Sequence, residues 1–581
     1  MNRHYRNFTT VVFIPAWVSV SIDTEKLEKD YDFLEKYLGL DKVYLETHRG
    51  DIDVDKEQIL KIKSFLEGKG VTVSGAITTI INEHEDPAKG RRRIFNTFCY
   101  TDPQMRESLK RISEYAAGLF DEVILDDFYF TNCTCESCIK SKGDRNWTDF
   151  RRELMLDVSK NLIVDPAKKV NPDVKMVIKY PNWRESFNFT GYLPEAQDEI
   201  FDLTYIGTET RSPAYTDQHL PEYLSYSLVR FMKNAWPGKC GGGWYDTYQC
   251  WSADRYMEQA YLTAFAQAGE LMHFQWGDLI DNPWICALGF SLRKIDKLMD
   301  NVGTPTGIPV YIPHASSGEN HLEMRLGMLG LPMEPTPVFP GDADKILLTE
   351  TAAGDPDITD KLARFVQKGG DAVITTGFLA RKGEELLRRG LTEARVSTKK
   401  YQVTRYHITG DNAGYIEDRE PILFPEIIHG NNASWSLLNG GSGDLHTSLF
   451  LRSTYGRGRI YIMSVPDNEA DLYRMPKAAV DVLKRALLCG GTDTYASGRD
   501  FSMFTYDDGS MILYRYVKDK VHPGHVTMHT SREVTGLKDM INDRIIPVIK
   551  TEIHEDFEMH VEYTADVILQ PGLISVFKWE A

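Results

Sequence analysis

The chain has 581 residues, and 67 basic against 84 acidic side chains leave a formal net charge of -17 at pH 7. That length allows roughly three to five domains of about 100–200 residues, and 42% apolar with 26% charged residues excludes a disordered chain. The acidic balance argues against nucleic acid or an anionic membrane as partner, since the short run Arg91-Arg92-Arg93 is no basic face.

The first residues, Met1 to Asn7, lack the apolar core of a signal peptide. The expectation is a cytoplasmic protein, or a periplasmic or secreted one if a leader has been removed. No stretch of about 18 uncharged apolar residues follows that could span a membrane. From residue 10 to about 300, short apolar runs alternate with amphipathic stretches. The strand candidates are Val11–Val18, Val43–Thr47, Val71–Thr79, Glu122–Phe130, Val174–Tyr180, Leu203–Thr208, Gly243–Tyr248 and Leu271–Trp276. Between them, segments such as Glu25–Tyr37, Lys56–Lys69, Asp102–Leu119 and Ala253–Ala268 carry apolar residues at helical spacing. Eight strands, each followed by a crossover helix, predict an α/β fold, a (β/α)8 TIM barrel over residues 1–303. An open doubly wound sheet would show a Gly-rich phosphate loop after its first strand, and Pro15-Ala16-Trp17 stands there instead. Eight of the ten Trp lie before residue 300, which places a ligand site in this half.

Residues 304–490 read as a doubly wound, amidotransferase-like α/β domain, with strands at Asp344–Leu348, Gly370–Ile374 and Gly458–Met463 and helices at Ile358–Gln367 and Ala478–Leu488. Its only Cys, Cys489, follows no strand. Without a nucleophile the domain is expected to be catalytically silent and to serve structure or oligomerisation. From 491 to 581, short strands (Phe501–Tyr506, Ser510–Tyr516, His525–Met528) and turns such as Asp507-Asp508-Gly509 predict a small C-terminal β-sandwich.

Three of the eight Cys lie in Cys133-Thr134-Cys135-Glu136-Ser137-Cys138, after the fourth strand, and Cys99 precedes the helix leading into that strand. Three thiols on one turn and a fourth from a neighbouring loop suit structural Zn2+, whose closed four-thiolate shell leaves no open catalytic position. A disulfide or unpaired core cysteines are the alternatives.

The run Phe95-Asn96-Thr97-Phe98-Cys99-Tyr100-Thr101-Asp102-Pro103, the acidic end of strand four and the Cys-x-Cys-x-x-Cys together resemble glycoside hydrolase family 42. In that β-galactosidase family four cysteines hold a zinc beside the active site, and a barrel, an amidotransferase-like trimerisation domain and a small β-domain follow in the same order. The resemblance implies a distant relative, a homo-oligomer (trimer or dimer), and an oligosaccharide or glycoside substrate. Family 42 ends strand four in Asn-Glu, with Glu as acid/base. Carried over by position, Asp127 becomes the general acid/base and Asp126 its tuning or substrate-binding partner. The Asn is missing, and Asp is one methylene shorter than Glu, which puts β-galactosidase activity in question.

Barrel active sites sit at the C-terminal strand ends. Those ends carry Glu46 and His48, Asp126 and Asp127, Lys179 and Trp183, Glu209 and Arg211, Trp244 and Asp246, then Trp276 and Asp278, with Trp17 after the first strand. Glycosidic cleavage needs one carboxyl group to protonate the leaving oxygen and a second as nucleophile or base, while Trp and Tyr faces stack on sugar rings. Two adjacent carboxyls also raise one pKa, as an acid needs. The nucleophile is expected at Asp246, by the family's strand-seven position, or at Glu209, which Arg211 could keep ionised. Trp17, Glu46, His48, Lys179, Trp183, Arg211, Trp244, Trp276 and Asp278 are the expected substrate contacts. His48 and His273 read equally as hydrogen-bonded core residues. Gly241-Gly242-Gly243 has no phosphate-loop context, and no Gly-x-Ser-x-Gly elbow occurs. The reading is a retaining exo-acting glycoside hydrolase. An Asp pair on strand four also resembles hexosaminidases that use substrate-assisted catalysis, and a non-catalytic carbohydrate-binding descendant is a further alternative. A metal-dependent hydrolase would need His-rich strand ends, which are missing.

Overall fold

The computed structural model describes residues 3–81, 94–409, 414–430, 433–488, 494–517, 522–555 and 558–581; Arg91–Arg93 and Cys489 lie outside them. Eight parallel strands form the first sheet: β1 (Thr9–Ile14), β2 (Lys42–Gly50), β3 (Thr72–Ile81), β4 (Glu122–Leu125), β5 (Lys175–Tyr180), β6 (Leu203–Gly207), β7 (Cys240–Asp246) and β8 (Glu270–Phe274). They pair in sequence, and β1 pairs with both β2 and β8, so the sheet closes into a TIM barrel. A two-residue strand, Ile52–Asp53, folds back on the end of β2.

The enclosing helices follow from their apolar stripes and caps. Asp23 caps Thr24–Tyr37, which buries Leu27, Tyr31 and Leu34. Asp102 accepts from the backbone N–H of Gln104 and Met105 and starts Pro103–Ala117, where Pro103 needs no donor partner. Inside the barrel, Val11, Phe13, Tyr44, Ala76, Ile124, Val177, Tyr205, Trp244 and Met272 fill the interior. Below them Lys42 bridges Glu122 at 2.6 Å and Glu270 at 2.9 Å, and the Tyr44 and Tyr205 hydroxyls donate to the same carboxylates. The wide base of Trp244 and Tyr205 is accommodated by Gly242, where a Cβ would stand 2.5 Å from the Glu270 carbonyl and 2.8 Å from the Tyr205 ring.

The expected strands shift at their ends, and the ends carry the chemistry. Pro15 stops β1 at Ile14, and a short helix, Ala16–Ser19, carries Trp17 outward. β4 stops at Leu125, so Asp126 and Asp127 lie beyond its last paired residue. β7 begins at Cys240 and ends on Asp246.

The chain divides into two compact units, Met1–Asp300 and Asn301–Ala581. In the second, parallel strands Ile308–Tyr311, Met333–Thr336, Lys345–Leu348, Asp371–Thr375 and Gly458–Met463 form one part of a nine-stranded mixed sheet. Its remainder is antiparallel and not foreseen: Arg395–Ile408, Gly414–Ile428, Trp435–Ser442 and Leu445–Tyr455. The C-terminal residues form a six-stranded and a four-stranded antiparallel sheet. Pro305–Thr306 pairs with Ser502–Tyr506, so the six-stranded sheet recruits its edge from nearly 200 residues earlier. No helix among the described residues is long and apolar enough to cross a membrane.

Candidate active site

Five carboxyl groups and three cations meet at the C-terminal end of the barrel. β2 contributes two of them through a bulge: Glu46 pairs with Ala76, but His48 pairs with Ile77, leaving Thr47 extra. Without it, Glu46 and Arg49 would face opposite sides of the sheet; with it, both reach the mouth. Arg49 donates from Nε to both Glu46 oxygens at 3.0 Å and from Nη2 to Asp126 Oδ2 at 2.6 Å. Glu46 also accepts from the Ala16 N–H at 2.7 Å and from the Thr78 hydroxyl. Four hydrogen bonds from these three partners make it a fixed brace. Arg49 is the site residue that sequence reasoning missed, because strict alternation along β2 points it outward.

Asp126 is buried, with Oδ2 on Arg49 and Oδ1 accepting the Asp127 N–H at 2.8 Å. Burial alone would raise its pKa, but Lys179 and Arg49 outweigh that and hold it below the ordinary carboxylate value. Asp127 behaves oppositely. Burial pushes its carboxyl up to about 7, Asp126 and Glu209 add to the rise, and Lys179 only partly opposes it. Its side chain is 21% exposed against 3% for Asp126. Two neighbouring carboxyls with diverging pKa values are the pattern of an acid beside a permanent anion.

Lys179 ties the ring together. Its Nζ lies 2.8 Å from Asp127 Oδ2, 3.0 Å from Glu209 Oε1 and 3.6 Å from Asp126 Oδ1. The ammonium sits 4.1 Å above the Trp244 ring, and the carboxylates raise its pKa. Lys179→Met removes the charge that holds the Asp127 pKa down. The alkaline limb of activity is therefore expected to move upward from about pH 7, and stability to fall by about 3–5 kcal/mol as buried carboxylates lose their cation; pH–rate profiles and denaturant titration measure both.

Glu209 turns its other oxygen inward: Oε2 is buried with no hydrogen-bond partner among the described residues. A Cβ on Gly207 would lie 2.4 Å from it, so this oxygen rests against the end of β6. Asp246 receives both arms of a guanidinium fork, Arg211 Nε at 3.1 Å and Nη2 at 2.8 Å. Burial nevertheless leaves its pKa above the ordinary value.

The aromatic assignments need correction. Trp276 is fully buried and donates its indole N–H to Asp30, so it offers no face to a ligand. Trp244 is interior packing beneath Lys179. Asp278 is exposed on the short helix after β8, outside the carboxyl ring. His48 pairs with Asp53 at 2.7 Å and with the Ile80 carbonyl at 3.3 Å, as a structural histidine does. His273 contacts the Tyr245 and Tyr256 hydroxyls, and burial alone lowers its pKa to about 3. Trp17 is 40% exposed, with the Arg49 guanidinium 5.2 Å from its ring. Trp183 packs edge-on against Phe130, which Phe95 also contacts. The exposed rings of Phe95, Tyr215, Tyr248 and Trp251, on loops after β3, β6 and β7, were not singled out from the sequence.

Behind Asp127, the Sγ atoms of Cys99, Cys133, Cys135 and Cys138 lie within 4.8 Å of one another, and these cysteines form no disulfide. Cys99 is 3.6, 3.8 and 3.7 Å from Cys135, Cys133 and Cys138. A tetrahedron of metal–sulfur bonds of about 2.3 Å has edges of about 3.8 Å. The four thiols could therefore hold one metal ion.

Residues 1–301 match the family model described as probable glycosyl hydrolase, catalytic domain, and residues 303–468 match that of the second domain of uncharacterized protein SSO3021. That protein, from Saccharolobus solfataricus, is 27% identical over 504 residues, 79% of this chain and 82% of its own length. Among solved structures, the cold-adapted β-galactosidase from Rahnella sp. R3 superposes with a TM-score of 0.63 at 12% identity, covering 98% of both chains. Gan42B, a family 42 β-galactosidase from G. stearothermophilus, gives 0.63 at 11% identity over 100% of both. The exo-β-1,4-mannosidase Op5Man5 from Opitutaceae bacterium strain TAV5 gives 0.51 at 12%, over 84% of this chain and 96% of its own. The solved structures share the fold at identities too low to transfer a substrate, whereas the family model spans the whole barrel that bears the carboxyl ring. The chain belongs to the probable glycosyl hydrolase catalytic-domain family, and it is a glycoside hydrolase that shares its fold with β-galactosidases of family 42.

Proposed function

We propose that the enzyme cleaves a terminal glycosidic bond with retention, using Asp127 as general acid/base and Asp246 as nucleophile. The observation that carries this reading is the split of the strand-four pair, with Asp127 half-buried and protonated up to about pH 7 beside a permanently ionised Asp126. In the first step Asp127 gives its proton to the glycosidic oxygen as the bond to the anomeric carbon breaks. Asp246 attacks that carbon from the opposite face and forms a glycosyl ester. Lys179, 2.8 Å from Asp127, stabilises the carboxylate left behind. Asp127 then takes a proton from water, the water oxygen attacks the anomeric carbon, and Asp246 leaves as a carboxylate.

Asp246 is favoured over Glu209 on orientation. The guanidinium fork occupies two of its four lone-pair directions and fixes the other two. Glu209 has one oxygen on Lys179 and the other sealed against β6. A substrate-assisted hexosaminidase needs the first Asp free to orient an acetamide, whereas both Asp126 oxygens are already engaged. The substrate contacts in this reading are Trp17, Arg49 and Trp183, with Glu46 and Arg211 as braces. The four thiolates are read as a structural zinc site that ties the loop after β4 to the loop after β3.

Removing the nucleophile and supplying a small external anion tests the assignment. Asp246→Gly is expected to lose about 10³-fold or more in kcat, and azide is expected to restore turnover and yield a glycosyl azide of inverted configuration. Rescue of Glu209→Gly, with none for Asp246→Gly, would transfer the role to Glu209.

A further inference from the structure

The loops after β6 and β7 are laced into one unit. Ser212 is buried; its N–H donates to the Gln249 carbonyl at 3.2 Å, and its hydroxyl accepts the Trp251 N–H at 3.0 Å. The Ser212 carbonyl accepts the N–H of Tyr215 at 2.9 Å and of Thr216 at 3.1 Å. Arg211 and Gln249 turn through the left-handed region, at φ 56° and 53°, on either side of this lacing. Two large rings stand on the resulting platform, Tyr215 70% exposed and Trp251 72% exposed, with centroids 6.0 Å apart at 66°. Tyr248 stands alongside, 58% exposed, with the Arg211 guanidinium 5.1 Å from its centroid. Edge-to-face packing between Tyr215 and Trp251 leaves a flat face uncovered. Isolated exposed aromatics need no explanation, but two in edge-on contact on loops bonded through one buried serine do.

We propose that Tyr215 and Trp251 form the binding platform for the leaving-group sugar, which makes the enzyme selective for an oligosaccharide over a glycoside with a small leaving group. The inference rests on the hydrolase reading above. Covalent continuity identifies the occupant: the platform is braced through Ser212, and the residue before it, Arg211, holds the nucleophile Asp246. The ring that undergoes cleavage lies inward, between Asp127 and Asp246, among side chains that are nearly fully buried. Rings exposed by 70% stand at the rim, where only the next sugar of the chain can stack.

The test compares Trp251→Ala and Tyr215→Ala with the wild-type protein on matched pairs, each a hexosyl fluoride and a disaccharide with the same non-reducing sugar. Fluoride leaves nothing to stack. The expected result is a loss of about tenfold in kcat/KM on the disaccharide, carried mainly by KM, with the fluoride rate within about twofold. Trp251→Phe is expected to recover most of the loss. Equal losses on both substrates, or none on either, overturn the platform. So does a fall in sedimentation mass on Trp251→Ala, which would assign these rings to contact with a second copy of the chain. Failure of the wild-type protein to hydrolyse any pair would instead overturn the hydrolase reading and the platform with it.

Discussion

Asp127→Asn is expected to reduce kcat/KM on a substrate with a poor leaving group by about 10²–10⁴-fold, the usual contribution of a positioned acid. The amide keeps the shape and the contact with Lys179 but has no proton to give. The pH profile supplies a second signature. The acid must be protonated in the free enzyme, and its pKa is pushed up to about 7 by burial and by Asp126 and Glu209. Wild-type kcat/KM is therefore expected to fall about tenfold per unit above that value, and to fall again at low pH as Asp246, whose pKa burial raises, takes up a proton. In Asp127→Asn the alkaline limb disappears, because the group that titrates is gone. Activated aryl glycosides, whose leaving group needs no proton, are expected to suffer much less in the first step. A profile that keeps its limb near pH 7 in Asp127→Asn would assign the acid to another carboxyl of the ring.

The barrel was legible because its strands alternate with helices whose apolar stripes and Asp caps are local signals, as at Asp23 and Asp102. The Cys cluster was legible because three of its members share one turn. Strand ends could be read only to within a few residues, and direction fails first there. Arg49 was missed because one inserted residue, Thr47, inverts the alternation along β2. Trp276 was misassigned because a residue just past a strand can turn inward, as this one does to reach Asp30. The antiparallel strands between Arg395 and Tyr455 went unseen because the first of them, Arg395–Ile408, buries only Val403 and Tyr406, three residues apart, and so shows no period-two apolar face. Lys179 illustrates the other limit: its position at a strand end was evident, but its bridging of Asp127 and Glu209 exists only once β4, β5 and β6 are neighbours.

Cys138→Ser is expected to cost the enzyme both its metal and much of its activity, although no thiol belongs to the carboxyl ring. Cys133, Cys135 and Cys138 follow Asp127 by 6, 8 and 11 residues, and Cys99 lies on the segment after β3. One ion held by all four would fix both segments, and with them the turn that carries Asp126 and Asp127. Hydrogen bonds also hold the loop after β4: the Thr79 hydroxyl donates to the Phe128 carbonyl at 2.9 Å, the Ser137 hydroxyl to the Thr101 carbonyl at 3.3 Å, the Tyr192 hydroxyl to the Asp127 carbonyl at 2.7 Å, and the Thr131 N–H to the Thr190 carbonyl at 3.0 Å. A serine hydroxyl stays protonated at neutral pH and is a poor replacement for a thiolate ligand. Elemental analysis is expected to show one zinc per chain in the wild-type protein and a sub-stoichiometric amount in Cys138→Ser. The melting temperature is expected to fall by on the order of 5–10 °C, and kcat to fall with little change in the pH limb, since the titrating carboxyl is still present. Prolonged treatment of the wild-type protein with a strong chelator is expected to reproduce the lower melting temperature, and added zinc to reverse it. A wild-type protein with no bound metal and an unchanged melting temperature in Cys138→Ser would reduce the cluster to four packed thiols.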